Sequence, residues 1–403
     1  MRVIYLTGPI GSKRNGGSSL SGLRFLELLI ARYEHVQVVS DAYRNVPSSG
    51  TGYKVTKIKS CQYVFGSTLR SIGRAVAVRL INLPRPQFAL IDGAGDNVLV
   101  VCNSFSGLLD RLQVRNAKSI RKVCVVRGDT DSFDYQGWGD SGDGSPLKKP
   151  LAFLNRFDHL VFVSQTTQRN WENIVAQPKK MFVLPNAIAE NEIEELMARS
   201  EREIRASLGW KPEEFHIVVV GSLQKRKGQD IFAQAASNLF KTLPYCHVHF
   251  VGIVSEPWGG LEIAKALLEV GGGRFIIHGH RNDALSLVRA ADVAVMVSRS
   301  EAFPRTVAEY MALGKAIITT PVAGADEMVI DGETGVIIPI DDAMALIKAL
   351  VAVTSDAEFG RRLGEAAKSR YFAEYSMKSQ EKRFDDIFNE IDKTFTHENV
   401  KNI

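Results

Sequence analysis

The run Val293-Ala294-Val295-Met296-Val297-Ser298-Arg299-Ser300-Glu301-Ala302-Phe303-Pro304-Arg305-Thr306-Val307-Ala308-Glu309 is a buried-type strand, a polar loop and a helix start in immediate succession. The helix pattern continues over 306–313 and stops at Gly314. Pro304 and Thr306 read as first-turn residues, so peptide N–H groups around 304–307 face whatever lies beyond the strand end. Such a helix start attracts anions through its exposed donors and the positive end of its dipole. Two carboxylates flank it, Glu301 in the loop and Glu309 one turn into the helix. Carboxylates accept hydrogen bonds from vicinal sugar hydroxyls, as the ribose-binding acid of dinucleotide folds does. Taken alone, the same residues also describe an ordinary helix N-terminus with acidic decoration.

The alternation continues on both sides. In the second half, further strands are predicted at 217–220, 248–251, 275–277, 316–319 and 336–338, with helices at 230–240, 261–270, 284–290 and 324–329. An acidic helix over 190–207 precedes them, and helical stretches at 356–370 and 376–394 close the chain. In the first half, strands are predicted at 3–7, 36–40, 54–58, 88–91, 98–102, 123–126 and 160–164. A helix over 18–33 carries Leu20, Leu23, Leu26 and Ile30 on one face, and an amphipathic helical segment is expected over 68–81. Residues 128–150, rich in Asp and Gly, read as a long loop. Buried strands alternating with helices imply an α/β protein with parallel sheets covered on both faces. A length of 403 residues suggests two or three domains at about 150 residues each. The expected division is 1–186 and 187–370, with a closing helix in 371–403.

Charge divides along the same line. Residues 1–186 carry 25 basic and 13 acidic side chains, net +12, and residues 187–403 carry 25 and 32, net −7; together they give +5. Apolar residues at 45% and charged residues at 24% exclude disordered, collagen-like and disulfide-rich classes. Cys61, Cys102, Cys124 and Cys246 form no CxxC, so buried thiols in a reducing compartment are expected. The N-terminus lacks the pattern of a signal peptide, and no run approaches the roughly 18 apolar residues of a membrane span. The expectation is a cytoplasmic protein, soluble or peripheral on the inner face of a membrane. Residues 42–91 contain eight basic residues and no acidic one. With Leu69, Ile72, Val76 and Leu80 in a stripe beside Arg70 and Arg74, this region reads either as an anionic-membrane contact or as a domain helix with its stripe in the core. Nucleic acid is not expected, because no binding module is present.

Two more loops follow strand ends. Gly221-Ser222-Leu223-Gln224-Lys225-Arg226-Lys227-Gly228 places three cations before a helix, with Gly221 allowing close approach and Lys227 placed to offer a point charge to phosphate. Lys13-Arg14-Asn15-Gly16-Gly17-Ser18 occupies a phosphate-cradle position but matches neither GxGxxG nor GxxxxGK[ST]. That spacing argues against both a dinucleotide dehydrogenase and a P-loop NTPase.

In this order, the three elements resemble the retaining GT-B glycosyltransferases of the glycosyltransferase 4-like (group 1) family. The resemblance spans nearly the whole chain and is strongest over 157–339. It rests on Phe157-Asp158-His159-Leu160-Val161-Phe162-Val163-Ser164, Leu184-Pro185-Asn186, Ala290-Ala291-Asp292-Val293, the E-x7-E pair Glu301/Glu309, Ala323-Gly324-Ala325-Asp326-Glu327 and Asp331-Gly332-Glu333-Thr334-Gly335. It implies two Rossmann-like domains facing a cleft, a nucleotide-sugar donor and a glycan or lipid-linked glycan acceptor. By the same resemblance Glu309 would hold the ribose and Glu301 the hydroxyls of the donor sugar. Lys227 and the peptide groups of Phe303, Pro304, Arg305 and Thr306 would hold the diphosphate. Gly16 and Gly17 would approach the phosphates from the first domain, and Arg281 would lie near the base.

Two departures stand out. Ser222 occupies the place where the family often has Arg, leaving Arg305 or Arg226 to supply that cation. Arg127-Gly128-Asp129-Thr130 stands where the family commonly has a His, leaving Asp129 or Arg127 to serve near the anomeric carbon. Asp129-Thr130-Asp131 reads as loop carboxylates, and His247/His249 and His278/His280 as strand histidines, so no metal or other cofactor is expected. Rival readings are a sugar-nucleotide epimerase, a glycosyl phosphorylase, or a nucleotide-binding protein of this fold with altered catalysis.

Overall fold

The computed structural model describes residues 1–7, 17–40, 56–57, 63–69, 76–82, 89–103, 109–131, 147–176 and 180–397. The first half contributes strands β1 (Arg2–Thr7), β2 (His35–Ser40), β3 (Thr56–Lys57), β4 (Tyr63–Leu69) and β5 (Val76–Asn82). They are followed by β6 (Ala89–Asp92), β7 (Asn97–Asn103), β8 (Leu112–Arg115), β9 (Ser119–Val126), β10 (His159–Phe162) and β11 (Lys180–Val183). Nine of these form one sheet in the order β11-β10-β9-β7-β1-β2-β5-β4-β3, and β6 pairs with β8 apart from it. Its strands run parallel except at the β5-β4-β3 edge, which is antiparallel. The second half adds β12 (Phe215–Val220), β13 (Cys246–Val251), β14 (Phe275–Gly279), β15 (Val293–Met296), β16 (Ala316–Thr319) and β17 (Val336–Ile337). All are parallel, in the order β14-β13-β12-β15-β16-β17.

Helices cover both faces of the second sheet. The helices Ile231–Thr242, Gly260–Gly271 and Ala343–Ser355 pack Phe232, Leu239, Leu267 and Leu350 against Val219, Phe250 and Ile318 on one side. On the other, Val288, Tyr310 and Met311 lie against Val218, Ala294 and Met296. Strands buried on both faces explain why much of the sequence there, such as β15, reads as an apolar run rather than as alternation. This is the two-sheet, doubly wound α/β arrangement expected from the alternation.

Four local expectations are corrected. Within the predicted helix over 68–81, residues 68–69 are instead the end of β4 and 76–81 most of β5, an antiparallel pair with Leu69 opposite Val76, and 70–75 lie outside the described residues. Gly66 and Gly73 disfavour a helix, and Val76, Val78 and Ile81 favour a strand, so β propensity overrides an accidental 3.6-residue stripe. Arg70 and Arg74 lie outside the described residues, and among the described residues of 68–81 there is no helix. The helix Ala343–Ser355 was not anticipated. Asp342 caps it by accepting from the Ala345 N–H at 2.8 Å. The acidic segment 190–207 is two helices, Glu190–Met197 and Glu201–Ser207, because Ser200 starts the second with a capping box to Glu203. The long loop predicted over 128–150 ends in a helix, Lys148–Leu154. No described helix is long and apolar enough to cross a membrane.

The final helix, Met377–His397, returns to the first sheet after a π turn over Tyr371–Tyr375. Phe384, Phe388, Ile391 and Phe395 enter the core beside Tyr5, Phe25 and Leu29. The Phe25 ring meets Phe384 edge-on with centroids 5.5 Å apart. Its acidic face pairs with the basic first half: Glu381 with Arg24 at 2.6 Å, Asp392 with Arg32 at 2.7 Å and Glu390 with Lys180 at 2.8 Å. These pairs lie near solvent, where each contributes about 0–1 kcal/mol. The phenylalanines, at roughly 1.5–3 kcal/mol each, hold the helix in place.

A row of histidines crosses the second sheet. His216 Nδ1 lies 3.0 Å from His249 Nε2, and His249 Nδ1 lies 2.9 Å from His278 Nε2. Trp210 stacks on His216 and His249 with centroids 3.9 and 4.4 Å away. Burial is the largest influence on each and pulls His216 down to about 4 and His249 to about 3, so the row is neutral at physiological pH. These are strand histidines within hydrogen-bond distance of one another. Among the described residues, no group of three or more His, Cys, Asp or Glu could hold a metal ion.

Candidate active site

The strand order of the second sheet reverses between β12 and β15, and the loops leaving these two strands meet there. Their contact is backbone to backbone. Gly228 has φ +68°, and a Cβ on it would lie 2.0 Å from the Val297 carbonyl oxygen. The Arg299 N–H donates to the Arg226 carbonyl at 2.8 Å. The Arg299 guanidinium clamps the junction from outside, bonding Asp230 at 2.8 Å and Asp341 at 2.7 Å. Gly228→Ala forces both a left-handed alanine and a steric overlap with main chain. We expect a loss of about 1–3 kcal/mol or more in urea unfolding, with the two loops displaced.

Glu301 sits at the centre of this junction. It accepts from the Lys227 ammonium, from the Arg226 guanidinium at 3.1 Å and from Ser298 Oγ at 3.0 Å. Ser298 is fixed in turn, its carbonyl accepting from Thr320 Oγ1 at 2.5 Å. Burial alone would raise the Glu301 pKa, but the two cations outweigh it and hold the carboxyl well below the usual range. The sequence leads to Glu301 and Lys227 as separate ligands for sugar and phosphate. In the structure they are bonded to each other, and Arg226 is spent on Glu301 and on the Ser300 carbonyl at 2.5 Å.

The adjoining helix, Arg305–Ala312, begins one residue earlier than expected, with the extended residue Pro304 before it. Phe303 and Pro304 are buried, and Thr306 is partly exposed. In the first turn the Val307 N–H donates to the Pro304 carbonyl at 3.1 Å, and those of Arg305 and Thr306 have no intrahelical acceptor. Arg305 donates to Ser21 Oγ and the Ala187 carbonyl, each at 3.4 Å, and stands 3.7 Å from Glu309. Burial raises the Glu309 pKa, with Arg305 opposing and Glu192 adding to the rise. Tyr310 supports the floor, its hydroxyl accepting from the Val220 N–H at 2.9 Å just before Gly221. In that loop Ser222 Oγ accepts from Gln224 Nε2 at 2.9 Å. Arg281 follows β14 and is held by Asp283 at 2.6 and 2.8 Å.

The first sheet meets this group from the other side. Asp131 accepts from Ser300 Oγ at 2.8 Å, next to Glu301. Asp129 instead turns inward. Both its oxygens accept from Asn170 Nδ2, at 3.0 and 2.8 Å, and burial lifts its pKa to about 6. Gly17 opens the helix Gly17–Arg32, and Gly16 lies outside the described residues. Glu327 closes the arrangement by accepting from the Gln165 N–H at 3.0 Å and from the Thr166 N–H, the free donors of the Gln165–Glu172 helix. Sequence reasoning passed over Ser298, Arg299, Asp230 and Glu327 as structural members of the site. The position of Ser298 and Arg299 directly after a central strand was the available signal. The Asp230 and Glu327 contacts are long-range and leave no local pattern.

The family model described as glycosyl transferases group 1 matches residues 200–370, which hold the β12–β17 sheet and the Glu301 group. Over these residues the chain is similar to the group 1 glycosyltransferases. The chain is 30% identical over 177 residues to a D-inositol 3-phosphate glycosyltransferase of Paenarthrobacter aurescens (strain TC1), covering 42% of this chain and 43% of that protein. It is 28% identical over 159 residues to a glycogen synthase of Mycobacterium tuberculosis, covering 40% and 38%. The aligned part thus spans less than half the length of these curated relatives. Solved glycosyltransferases match in fold over nearly the entire chain. The sucrose-phosphate synthase of Thermosynechococcus elongatus aligns with TM-score 0.70 at 17% identity, covering 98% of this chain and 100% of that one. Anabaena Alr3699/HepE, solved with UDP and glucose, gives 0.69 at 16%, covering 97% and 100%. These likenesses identify the two-sheet architecture as the GT-B fold.

Proposed function

We propose that this chain transfers a sugar from a nucleoside-diphosphate sugar to a glycan or lipid-linked glycan, with retention at the anomeric carbon and without a metal ion. The observation that carries the reading is the convergence, at the sheet reversal, of the Glu301–Lys227–Arg226 group with the start of the Arg305–Ala312 helix and Glu309. The difficult step is expulsion of a nucleoside diphosphate. Negative charge grows on its oxygens, and fixed N–H donors and cations beside them stabilise that charge without reorganising. Glu309 is half-buried with no strong cation on it, which suits a carboxylate that accepts from ribose hydroxyls. Complexes of Anabaena HepE with UDP and with UDP-glucose support a uridine donor.

A thermal-shift panel of UDP-, GDP-, ADP- and CMP-sugars tests the reading. At least one is expected to raise Tm by several degrees at concentrations near 100 times Kd, which corresponds to about 2.7 kcal/mol. No shift with any of them would sink it. Glu309→Ala is expected to reduce the shift given by the free nucleoside diphosphate, and an unchanged shift removes Glu309 from the site.

A further inference from the structure

The cations around the cleft are not alike in their partners. Arg226 and Lys227 share the Glu301 carboxylate, Arg299 pairs with Asp230 and Asp341, and Arg281 pairs with Asp283. Arg127, at the end of β9, is held differently. Its guanidinium donates to Asn103 Oδ1 at 2.7 Å, Asn186 Oδ1 at 2.5 Å and the Ser21 carbonyl at 3.3 Å, three neutral oxygens. Among the described residues no carboxylate is bonded to it. Arg305 approaches the same serine, and its own nearest carboxylate, on Glu309, is 3.7 Å away. Two guanidiniums therefore share Ser21, one from each side of the cleft, with the linking residues Asn186 and Ala187 between them.

The surroundings of Arg127 are built rather than incidental. The Asn103 amide is oriented by its Nδ2, which donates to Thr7 Oγ1 at 3.3 Å, so its oxygen faces the guanidinium. Gly22 makes room for that amide, since a Cβ there would lie 2.5 Å from Asn103 Nδ2. Burial, with the Arg305 cation adding to it, pulls the Arg127 pKa down to about 10. Hydrogen bonds to neutral oxygens position a partly buried cation but leave its charge uncompensated, which is unfavourable until an anion arrives. Planar, bidentate donors of this kind match phosphoryl oxygens.

We propose that Arg127, with Arg305, forms an anion subsite that takes a phosphoryl group between the two sheets, carried either by the nucleotide donor or by a phosphorylated acceptor. This deepens the proposed transferase function, and in the donor case it supplies the cation that Ser222 lacks. Occupancy would bond the β9 loop, the linker and the Arg305–Ala312 helix through one ligand, drawing the cleft closed around the reacting groups.

Calorimetry of the full chain with inorganic phosphate, pyrophosphate, UDP and uridine tests it, using wild type, Arg127→Gln and Arg127→Lys. Arg127→Gln is expected to weaken at least one phosphoryl ligand about tenfold or more, with uridine unchanged and Arg127→Lys intermediate. A loss on UDP but not uridine assigns the donor. A loss confined to KM for a hexose phosphate, with the free hexose unaffected, assigns the acceptor. Without anion, Arg127→Gln is expected to melt no lower than wild type, whereas an arginine with a purely structural role would be missed at once. Equal affinity of wild type and Arg127→Gln for every phosphoryl ligand, with equal KM for phosphorylated and free hexose, overturns the proposal. If wild type binds inorganic anions through Arg127 yet no nucleotide sugar, the transferase reading fails and the subsite stands.

Discussion

Glu301→Ala is expected to destabilise the protein by about 3–5 kcal/mol, the range for removing one partner of a buried ion pair. The substitution leaves Lys227 and Arg226 facing each other across a junction from which water is largely excluded, with Ser298 Oγ also losing its acceptor. The loss should appear as a lower urea midpoint together with loss of the proposed transferase activity. A second substitution separates charge from shape: Glu301→Ala with Lys227→Met removes one stranded cation and should recover part of the stability but none of the activity. If the double variant is no more stable than the single one, the interaction between Glu301 and Lys227 is not what holds the two loops together.

Between pH 6.5 and about 4.5 the protein is expected to lose stability steadily, at up to about 1.4 kcal/mol per pH unit for each histidine of the buried row that titrates. In the unfolded chain His216 and His249 accept a proton near 6.5, whereas in the fold they resist it until about 4 and about 3. Over that interval the unfolded state binds more protons, so stability is complete above pH 6.5 and falls as the pH drops towards the folded values. Arg205, His247, His278 and Arg281 oppose protonation of the row, and Glu214 and Asp292 favour it less strongly than burial disfavours it. Urea unfolding at half-unit pH steps measures the slope. Replacing both histidines by glutamine should flatten it, and an unchanged slope would assign the acid sensitivity to other groups.

The second sheet was legible almost strand for strand because each of its strands is an apolar run ended by a glycine or polar loop, and each helix between them has a clear face. Glu301, Lys227 and Glu309 were legible for a related reason, as polar residues placed where such strands stop. What escaped was long-range. The Ala343–Ser355 helix is so rich in Ala and Val that its periodicity is blurred, and only the Asp342 cap marks its start. The strand pair β4–β5 was read as a helix because Leu69, Ile72, Val76 and Leu80 happen to fall at helical spacing, while pairing with β2 is invisible locally. That Lys227 is bound by Glu301, 74 positions later, and that Arg127 has neutral partners among the described residues, likewise depends on contacts the chain makes after folding.

The return of Met377–His397 to the first sheet also bears on how the protein is made. Tyr5 and Phe25 leave the ribosome long before Phe384 and Phe388, the phenylalanines that pack with them. During synthesis the first sheet therefore waits with one face uncovered while the second, whose strands and covering helices are contiguous from 201 to 370, has all of its own parts. A fragment stopped at residue 376 should consequently show its damage at the opposite end of the chain. Protease sites and dye-binding surface would open around Phe25 and Leu29 while the second sheet stays folded.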